Sequence, residues 1–443
     1  MPERFSRSSV QLDVAPGEHE APVELDPEAP FRILILGDFS GRAGRGLHTG
    51  LSGRRPVLVD RDNIDEVLGG MHAALNLPGM ALQFRELDDF HPDTIYRRVD
   101  VFQQLQASPP APPAVEAPAP PSPARGLSLD DMIDATLEKR PSVPPELEED
   151  LSDFLKRVVS PHLEQSKDPR ELQQAAQSQY KAGAVMRAVL HHGRFQALEA
   201  AWRAVYMLVR GLDTGARLKI FLFDATREEI TADLSGLEAL LTGQREPWAV
   251  VAGNYSFEQS EEDAADLSLL GKLAQAAGAP FLAEASPSEG EPEAQWQALR
   301  RSPEASWIGL ALPRFLLRMP YGKDTSAIDE FEFEEMPESV HEHYLWGNPA
   351  FACAFLLGQA YQSYGWQMRP GVHRQIDDLP VHIYREDGES IMKPCGEMLL
   401  SEREAEYLLD QGIMPLASFK DRGSVLIYRF QSIADPAAPL SGR

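Results

Sequence analysis

The chain has 443 residues, 43% of them hydrophobic, and a formal net charge of −26 at pH 7. This length allows two or three domains with their own cores, and the negative charge disfavours binding to nucleic acid or anionic lipid. Two cysteines are too few for a disulfide framework or a cysteine-based zinc site. No apolar run is long enough to span a membrane, and the N-terminus lacks the apolar core of a secretory signal. We therefore expect a cytoplasmic protein.

The N-terminal hundred residues predict a small α/β unit. Val10, Leu12 and Val14 alternate with polar residues, as in an edge strand. An apolar strand follows at 31–36, and the glycine-rich sequence GDFSGRAGRG after it resembles a phosphate-binding loop. Its glycine spacing fits neither a Walker loop, which needs Lys and then Ser or Thr, nor the dinucleotide order G-x-G-x-x-G. We expect no nucleotide at this loop.

Residues 107–125 mark the clearest boundary. They are almost entirely Pro, Ala and Ser, a composition that cannot bury a core and prefers an extended chain spanning up to about 60 Å. We expect this linker to join two units, one at 1–106 and one at 126–443.

A short helix is predicted directly after the linker. Ser128 and Asp131 form a start that resembles a capping box. Four apolar residues share one stripe of the helix, namely Leu129, Met132, Ile133 and Leu137. Proline-rich segments flank the helix, so the stripe has no neighbour in sequence to pack against. It could dock on its own domain or lie in the groove of a partner.

In the second unit, apolar strands alternate with helices. The predicted strands include 217–224, 248–253, 279–285 and 307–313. A long helix at 184–212 is broken or bent near Gly193. This alternation predicts an α/β fold with mixed, mostly parallel sheets covered by helices.

Two histidine clusters are candidate metal sites. His191 and His192 are adjacent, and adjacent side chains on a helix point about 100° apart, so packing or hydrogen bonding at a helix end is the favoured interpretation. His341 and His343 flank Glu342 and could chelate a metal, but only one further carboxylate cluster lies nearby in sequence. We expect no metal and no cofactor.

Arg314 and Arg318 follow a predicted strand, where the loops of parallel sheets often hold anions. Alternatively, they pair with the carboxylates of Glu332, Glu334 and Glu335. No nucleophile, base and orienting group occur together in the sequence, so we favour this structural pairing. An enzyme would need Arg314, Arg318 or His343 to line a pocket with a base nearby.

Two parts of the sequence resemble the subunits of the contractile sheath of bacterial type VI secretion systems. The first unit resembles the small subunit (TssB, VipA or ImpB) at 30–42, 55–68 and 84–105. The second resembles the large subunit (TssC, VipB, ImpC or EvpB) in stretches that keep the same order, among them 190–209, 253–257, 279–287, 312–322, 331–335, 344–350 and 364–366. The chain looks like a fused pair.

The resemblance implies a structural role without catalytic activity. In the family, the two subunits form a heterodimer that stacks into a tube around an inner tube of Hcp protein. Contraction drives the inner tube through a target membrane, and a ClpV-type unfoldase recycles the spent sheath. The strand and loop with Asp38 and Arg42 would then belong to the fold and the subunit contact, and the stripe at 129–137 would be read by the unfoldase. The strand at 9–14, which contains Val10, Leu12 and Val14, would be donated to a neighbouring subunit.

Two features depart from the family pattern. The linker fixes the ratio of the two units at one to one and raises their effective concentration to about the millimolar level. The large subunit normally continues into strands that interlock neighbouring subunits, whereas this sequence stops at Arg443. We therefore weigh a sheath component against an accessory protein that uses the sheath-like fold to bind sheath, baseplate or other partners without forming a tube. In both interpretations Arg314, Arg318, Glu334 and Glu335 are structural.

Overall fold

The computed structural model describes residues 28–107, 169–287, 293–386 and 388–442. We call 28–107 the first segment and the part from residue 169 onward the second segment. The first segment contains strands β1 (Phe31–Gly37), β2 (Val57–Val59), β3 (Ala74–Leu77) and β4 (Met80–Gln83), and helices α1 (Ile64–Gly70), α2 (Pro92–Arg98) and α3 (Asp100–Ala107).

The second segment opens with two consecutive helices, α4 (Pro169–Leu190) and α5 (Gly193–Gly211). The break predicted near Gly193 is present, because His192 caps α5 by accepting a hydrogen bond from the Arg194 amide at its Nδ1. The further helices are α6 (Arg227–Ala232), α7 (Leu234–Thr242), α8 (Glu261–Ala277), α9 (Ala294–Arg300), α10 (Pro349–Tyr364) and α11 (Glu402–Asp410).

The strands of the second segment begin with β5 (Leu218–Asp224), β6 (Val250–Phe257), β7 (Phe281–Ala285) and β8 (Ile308–Leu312). Short strands and hairpins follow, namely β9 (Phe315–Leu316), β10 (Trp346–Gly347), β11 (Gln375–Ile376), β12 (Ile383–Glu386), β13 (Glu389–Met392), β14 (Ile413–Phe419) and β15 (Arg422–Ile427). Three of the strand pairs, β3–β4, β9–β10 and β12–β13, lie outside the main sheet of the described residues.

The described residues build a nine-stranded main sheet in the order β11-β15-β14-β8-β7-β6-β1-β5-β2. The strands from β14 to β5 in this order are parallel, and the outer pairings are antiparallel. The predicted α/β fold with a mixed, mostly parallel sheet is confirmed. Apolar strands that alternate with helices form such a sheet because the helices cover both of its faces.

Strand β1 lies at the centre of the main sheet, between β5 and β6. It pairs in parallel with both, from Phe31 opposite Leu218 to Gly37 opposite Asp224 on the β5 side. All seven of its residues are buried. The first segment therefore supplies an inner strand to a sheet that the second segment otherwise forms.

The side chains of β1 enter two cores, one on each face of the sheet. Phe31, Ile33 and Ile35 pack in the core under α5 and α10, and Leu34 and Leu36 pack in the core under α7 and α8. This alternation is the period of two that a pleated strand imposes.

Arg32 is the charged residue of β1, and it is buried. Its guanidinium carbon lies 3.9 Å from the ring centre of Trp248 and 4.7 Å from that of Phe221. It also donates a hydrogen bond to the carbonyl of Glu246. The flat guanidinium can occupy an aromatic core because the two ring faces attract its charge.

The predicted domain boundaries remain a prediction, because the linker lies outside the described residues. The longest strand of the first segment nevertheless completes the sheet of the second segment. A strand that is buried on both faces and paired on both edges needs neighbours that the first segment does not provide. In the described part of the chain, no helix is both long and apolar enough to cross a membrane.

We predict that Ile35→Ala lowers the free energy of unfolding by roughly 3 kcal/mol, because the side chain is fully buried and its removal leaves a cavity. Denaturant unfolding of the full chain measures this change. The control is Val57→Ala in the edge strand β2, where 38% of the residue is exposed and an effect below about 1 kcal/mol is expected. Equal effects in the two variants would contradict the central placement of β1.

Candidate assembly site between the two segments

The glycine-rich loop after β1 is held by carboxylates. The amides of Phe39 and Ser40 donate to Oδ1 of Asp224 over 2.8 and 3.0 Å, and those of Arg42 and Ala43 donate to Asp38 over 2.8 and 2.9 Å. Backbone amides that cradle a phosphate must be free to donate to it. In this loop they are already bonded to anionic side chains of the protein itself.

Gly41 fits this loop for a steric reason. Its φ of +72° is a left-handed conformation that side chains disfavour, and a Cβ at this position would collide with the carbonyl oxygen of Ala74. The loop thus turns tightly against strand β3, and Gly41 allows this close approach.

A partly buried ion cluster joins the two segments beside this loop. We call it the junction cluster, and it consists of Arg42 and Arg54 from the first segment and Asp224 and Glu229 from the second. Arg42 lies 3.1 Å from Asp224 and 3.0 Å from Glu229, and Arg54 holds both carboxylate oxygens of Glu229 at 2.7 and 2.9 Å. Two arginines thus clamp carboxylates at the end of β5 and in α6.

Glu229 is the centre of the junction cluster, and its side chain is 3% exposed. Burial alone would raise its pKa, but hydrogen bonds from Arg54 and from the amides of Thr49 and Thr226 outweigh burial and lower the pKa to about 2. Glu229 therefore carries its charge at neutral pH. Thr49 belongs to the first segment, so its amide adds a further bond across the junction.

Aromatic and backbone contacts extend the junction. The indole Nε1 of Trp202 on α5 donates to the carbonyl of Phe39 over 2.9 Å, and the two rings meet edge to face. The ring of Tyr96 on α2 stacks on Phe331 with centres 4.5 Å apart. The first segment is thus bound to the second along its helices as well as through the sheet.

A second buried cluster lies within the second segment, and we call it the core cluster. Its residues are Glu199 and Arg203 on α5 and Arg318, Tyr321 and Glu335 in the loop after β9. Nε of Arg318 lies 2.8 Å from Glu199, and Nη1 lies 2.8 Å from Glu335. Arg203 shares Glu199 at 2.7 Å, and the amide of Tyr321 donates to Glu335 over 2.7 Å.

The core cluster keeps the carboxylate of Glu335 ionised. Burial would raise the pKa of Glu335, but the charge of Arg318 and the bonds it receives lower that pKa to about 2. The same guanidinium lies 4.3 Å from the ring centre of Tyr321. Donors thus surround Glu335 and fix the path of the loop that follows β9.

Only one of the two arginines pairs as the sequence suggested. Arg318 meets Glu335, whereas Nε of Arg314 lies 2.9 Å from Glu397 and does not pair with Glu332, Glu334 or Glu335. The amide of Glu397 in turn donates to the Arg314 carbonyl, which brings the stretch before α11 next to the end of β8. Nothing in the local sequence links these two positions. Glu334 instead accepts a hydrogen bond from the Lys323 amide over 3.0 Å.

The histidine candidates pack against one another or against other side chains. The rings of His191 and His343 stack with centres 3.7 Å apart, and Nε2 of His191 lies 3.6 Å from Glu335. Nδ1 of His341 lies 2.9 Å from Nζ of Lys393. Within the described ranges, no group of three His, Cys, Asp or Glu side chains could hold a metal ion.

The sequence analysis missed three carboxylates of the two clusters, Glu199, Asp224 and Glu229, and it also missed Glu397, the partner of Arg314. Glu199 carries a usable signal, because it is a charged residue among the apolar residues of α5 with Arg203 four positions on. The predicted partner-binding residues lie outside the described residues. They are Leu129, Met132, Ile133 and Leu137 in the helix after the linker, and Val10, Leu12 and Val14 in the N-terminal strand.

We predict that Glu229→Gln lowers the free energy of unfolding at pH 7 by roughly 3 kcal/mol, because Arg42 and Arg54 lose their buried partner. The pKa of Glu229 is lowered from 4.5 to about 2 in the folded chain. Its contribution is therefore fully present above about pH 4.5 and is lost as the pH falls toward 2.

Denaturant unfolding at several pH values tests the direction of this pH dependence. The difference between the unmodified chain and Glu229→Gln should shrink as the pH falls below 4.5. Glu246→Gln is the matched control, because Glu246 also faces arginine and lysine but is 51% exposed, and an effect below about 1 kcal/mol is expected. A difference that grows at acid pH would show that the sign is wrong.

Each of the two segments matches a known protein family. Residues 176–291 and 288–434 match the VipB family model, described as EvpB/VC_A0108, tail sheath N-terminal domain. Residues 2–108 match the model described as type VI secretion system, VipA, VC_A0107 or Hcp2. The type VI secretion system sheath protein TssC1 of Pseudomonas aeruginosa (strain PAO1) is 31% identical over 298 residues, which cover 58% of this chain and 60% of the relative. The chain thus matches less than two thirds of that relative's length.

Proposed function

Because the chain belongs to the VipB tail sheath family and carries a VipA match in the same polypeptide, we propose that it is a structural component of a type VI secretion sheath. In this proposal one chain supplies both the small and the large subunit. Its described residues work through packing and ion pairs, and we propose that it has no catalytic activity.

The observation that carries this proposal is the position of β1. The segment with the VipA match supplies an inner strand to the sheet of the segment with the VipB match. A fused chain therefore forms one assembly unit with a fixed ratio of one to one. Helix α3, where the first segment ends, contacts α4, where the second begins. A flexible link between the two segments would give their pairing within one chain an effective concentration of about a millimolar.

The proposed partners follow from the family resemblance. The assembled chain would surround an Hcp-type inner tube in the bacterial cytoplasm and contact the baseplate. The stripe of Leu129, Met132, Ile133 and Leu137 would bind a ClpV-type unfoldase as a helix in a groove. The strand at 9–14 would add to a sheet of a neighbouring copy. An accessory protein that does not polymerise is the alternative that the family comparisons do not favour.

We predict that the purified full chain, alone or mixed with an Hcp-type tube protein, forms long helical tubes in negative-stain electron microscopy. Leu12→Pro should prevent tube formation without unfolding the chain, because proline cannot donate the hydrogen bonds of an added strand. Monomers or small rings under every condition would contradict the proposal and support the accessory role.

A further inference from the structure

A cavity of about 590 Å³ lies where the loop before β2 approaches β5 and α7. The loop residues 51–56 line it on one side, the first turns of α7 line it on another, and β5 contributes the rings of Phe221 and Phe223. Its volume falls within the range of cavities that hold small ligands. Three arginines also line this cavity, namely Arg32, Arg54 and Arg55.

Arg32 brings to the cavity a buried charge that its neighbours compensate only in part. Its side chain is 8% exposed, and within the described residues its Nε has no hydrogen-bond partner. The carboxylate of Glu246 lies 3.8 Å from this Nε, beyond hydrogen-bond distance, and Nζ of Lys219 shares that carboxylate at 3.7 Å. Burial lowers the pKa of Arg32, and the charge of Glu246 offsets this effect only in part. One half-exposed acid thus serves two cations.

Arg55 brings a second charge to the cavity, and this one is accessible. The residue is exposed, and no hydrogen bond or ion pair in the described part of the chain includes its side chain. Arg54, by contrast, is already held by Glu229 in the junction cluster. Arg55 is therefore the arginine that an incoming ligand can contact.

The acid that lines the cavity is already occupied by protein donors. Asp233 accepts hydrogen bonds from the amides of Leu51 and Gly236 over 2.8 and 2.9 Å. It also accepts one from the hydroxyl of Ser235 over 3.1 Å. These bonds attach the loop to the start of α7. Among the residues that line the cavity, three arginines thus face one carboxylate that is already bonded, and this balance favours an anionic ligand.

We propose that this cavity binds a small phosphate-bearing anion, which Arg55 contacts directly and which Arg32 attracts through its charge. Guanidinium groups bind phosphate oxygens through paired N–H donors. A phosphate group carries a charge of about −1.5 to −2 near pH 7. This charge matches two arginines that have no carboxylate at hydrogen-bond distance, whereas a single carboxylate would compensate only one. Ser52 lines the same cavity and offers a hydroxyl donor.

The bound anion would connect the loop at 51–56 to β5 and α7. This loop leads into β2, which is an edge strand of the main sheet and pairs with β5 among the described residues. Anion binding should therefore stabilise β2. The proposal goes beyond the sheath role and does not depend on it, because it rests on side chains within one chain.

Isothermal titration calorimetry of the full chain with inorganic phosphate and with pyrophosphate tests the proposal. We expect one saturable site per chain with a Kd below about 1 mM at about pH 7.5 and about 50 mM salt. Acetate, which carries a single carboxylate, should bind at least about tenfold more weakly. The absence of saturable binding of both phosphate probes, or equally tight binding of acetate, overturns the proposal.

Arg55→Gln tests the location of the site. This variant removes the charge that contacts the anion, so pyrophosphate should bind at least about tenfold more weakly. Arg403→Gln is the matched control, because Arg403 is also exposed but lies on α11, which packs against β14. Its Kd should be unchanged. Equal losses in the two variants, or an unchanged Kd in Arg55→Gln, overturn the proposal.

Hydrogen exchange measured by mass spectrometry gives a second test that needs no variant. With saturating pyrophosphate, peptides that cover 51–59 should exchange more slowly, because the anion holds this loop and β2. Peptides that cover α11 should exchange at the same rate with and without pyrophosphate. Protection that is confined to other parts of the chain overturns the proposal.

Discussion

Strand β1 forms parallel pairs with β5 on one edge and β6 on the other, and its side chains enter the cores on both faces of the sheet. Without it, β5 and β6 would have no common neighbour, and the sheet would be divided. The first segment is therefore an integral part of the fold that the second segment builds. The junction cluster lies directly beyond the carboxyl ends of β1 and β5, where Asp224 and Glu229 receive Arg42 and Arg54.

The junction cluster joins the two segments, and the core cluster fixes a loop of the second segment. A buried ion pair costs desolvation energy, so its net contribution to stability is small when both partners are present, but loss of one partner is strongly destabilising. Glu229 and Glu335 are each surrounded by several donors, which fix the position of the chain on either side. In a chain with a net charge of −26, these arginines balance buried acids inside the protein. Much of the net negative charge therefore comes from acidic residues outside these two clusters.

Much of the architecture could be predicted from the sequence. The apolar strands at 217–224 and 279–285 alternate with helices, and this alternation predicts a mostly parallel sheet with both faces covered. The neighbours of β1 could not be predicted from its own pattern. A continuous apolar run indicates a buried strand but does not show which strands pair with it. Arg318 and Glu335 lie close in sequence and could be paired, whereas Arg314 meets Glu397 through a fold-dependent contact. The pairing of Glu199 with Arg318 could not be predicted, because the two residues lie 119 positions apart in the sequence.

Hydrogen exchange measured by mass spectrometry on the full chain tests the central placement of β1 most directly. Amides of an inner strand exchange only when the whole sheet opens. We expect the peptide that covers Phe31–Gly37 to exchange as slowly as those that cover Leu218–Asp224 and Val250–Phe257, and to share their dependence on denaturant. Faster exchange of β1 at a separate denaturant midpoint would show that the first segment folds as an independent unit, and would contradict this account.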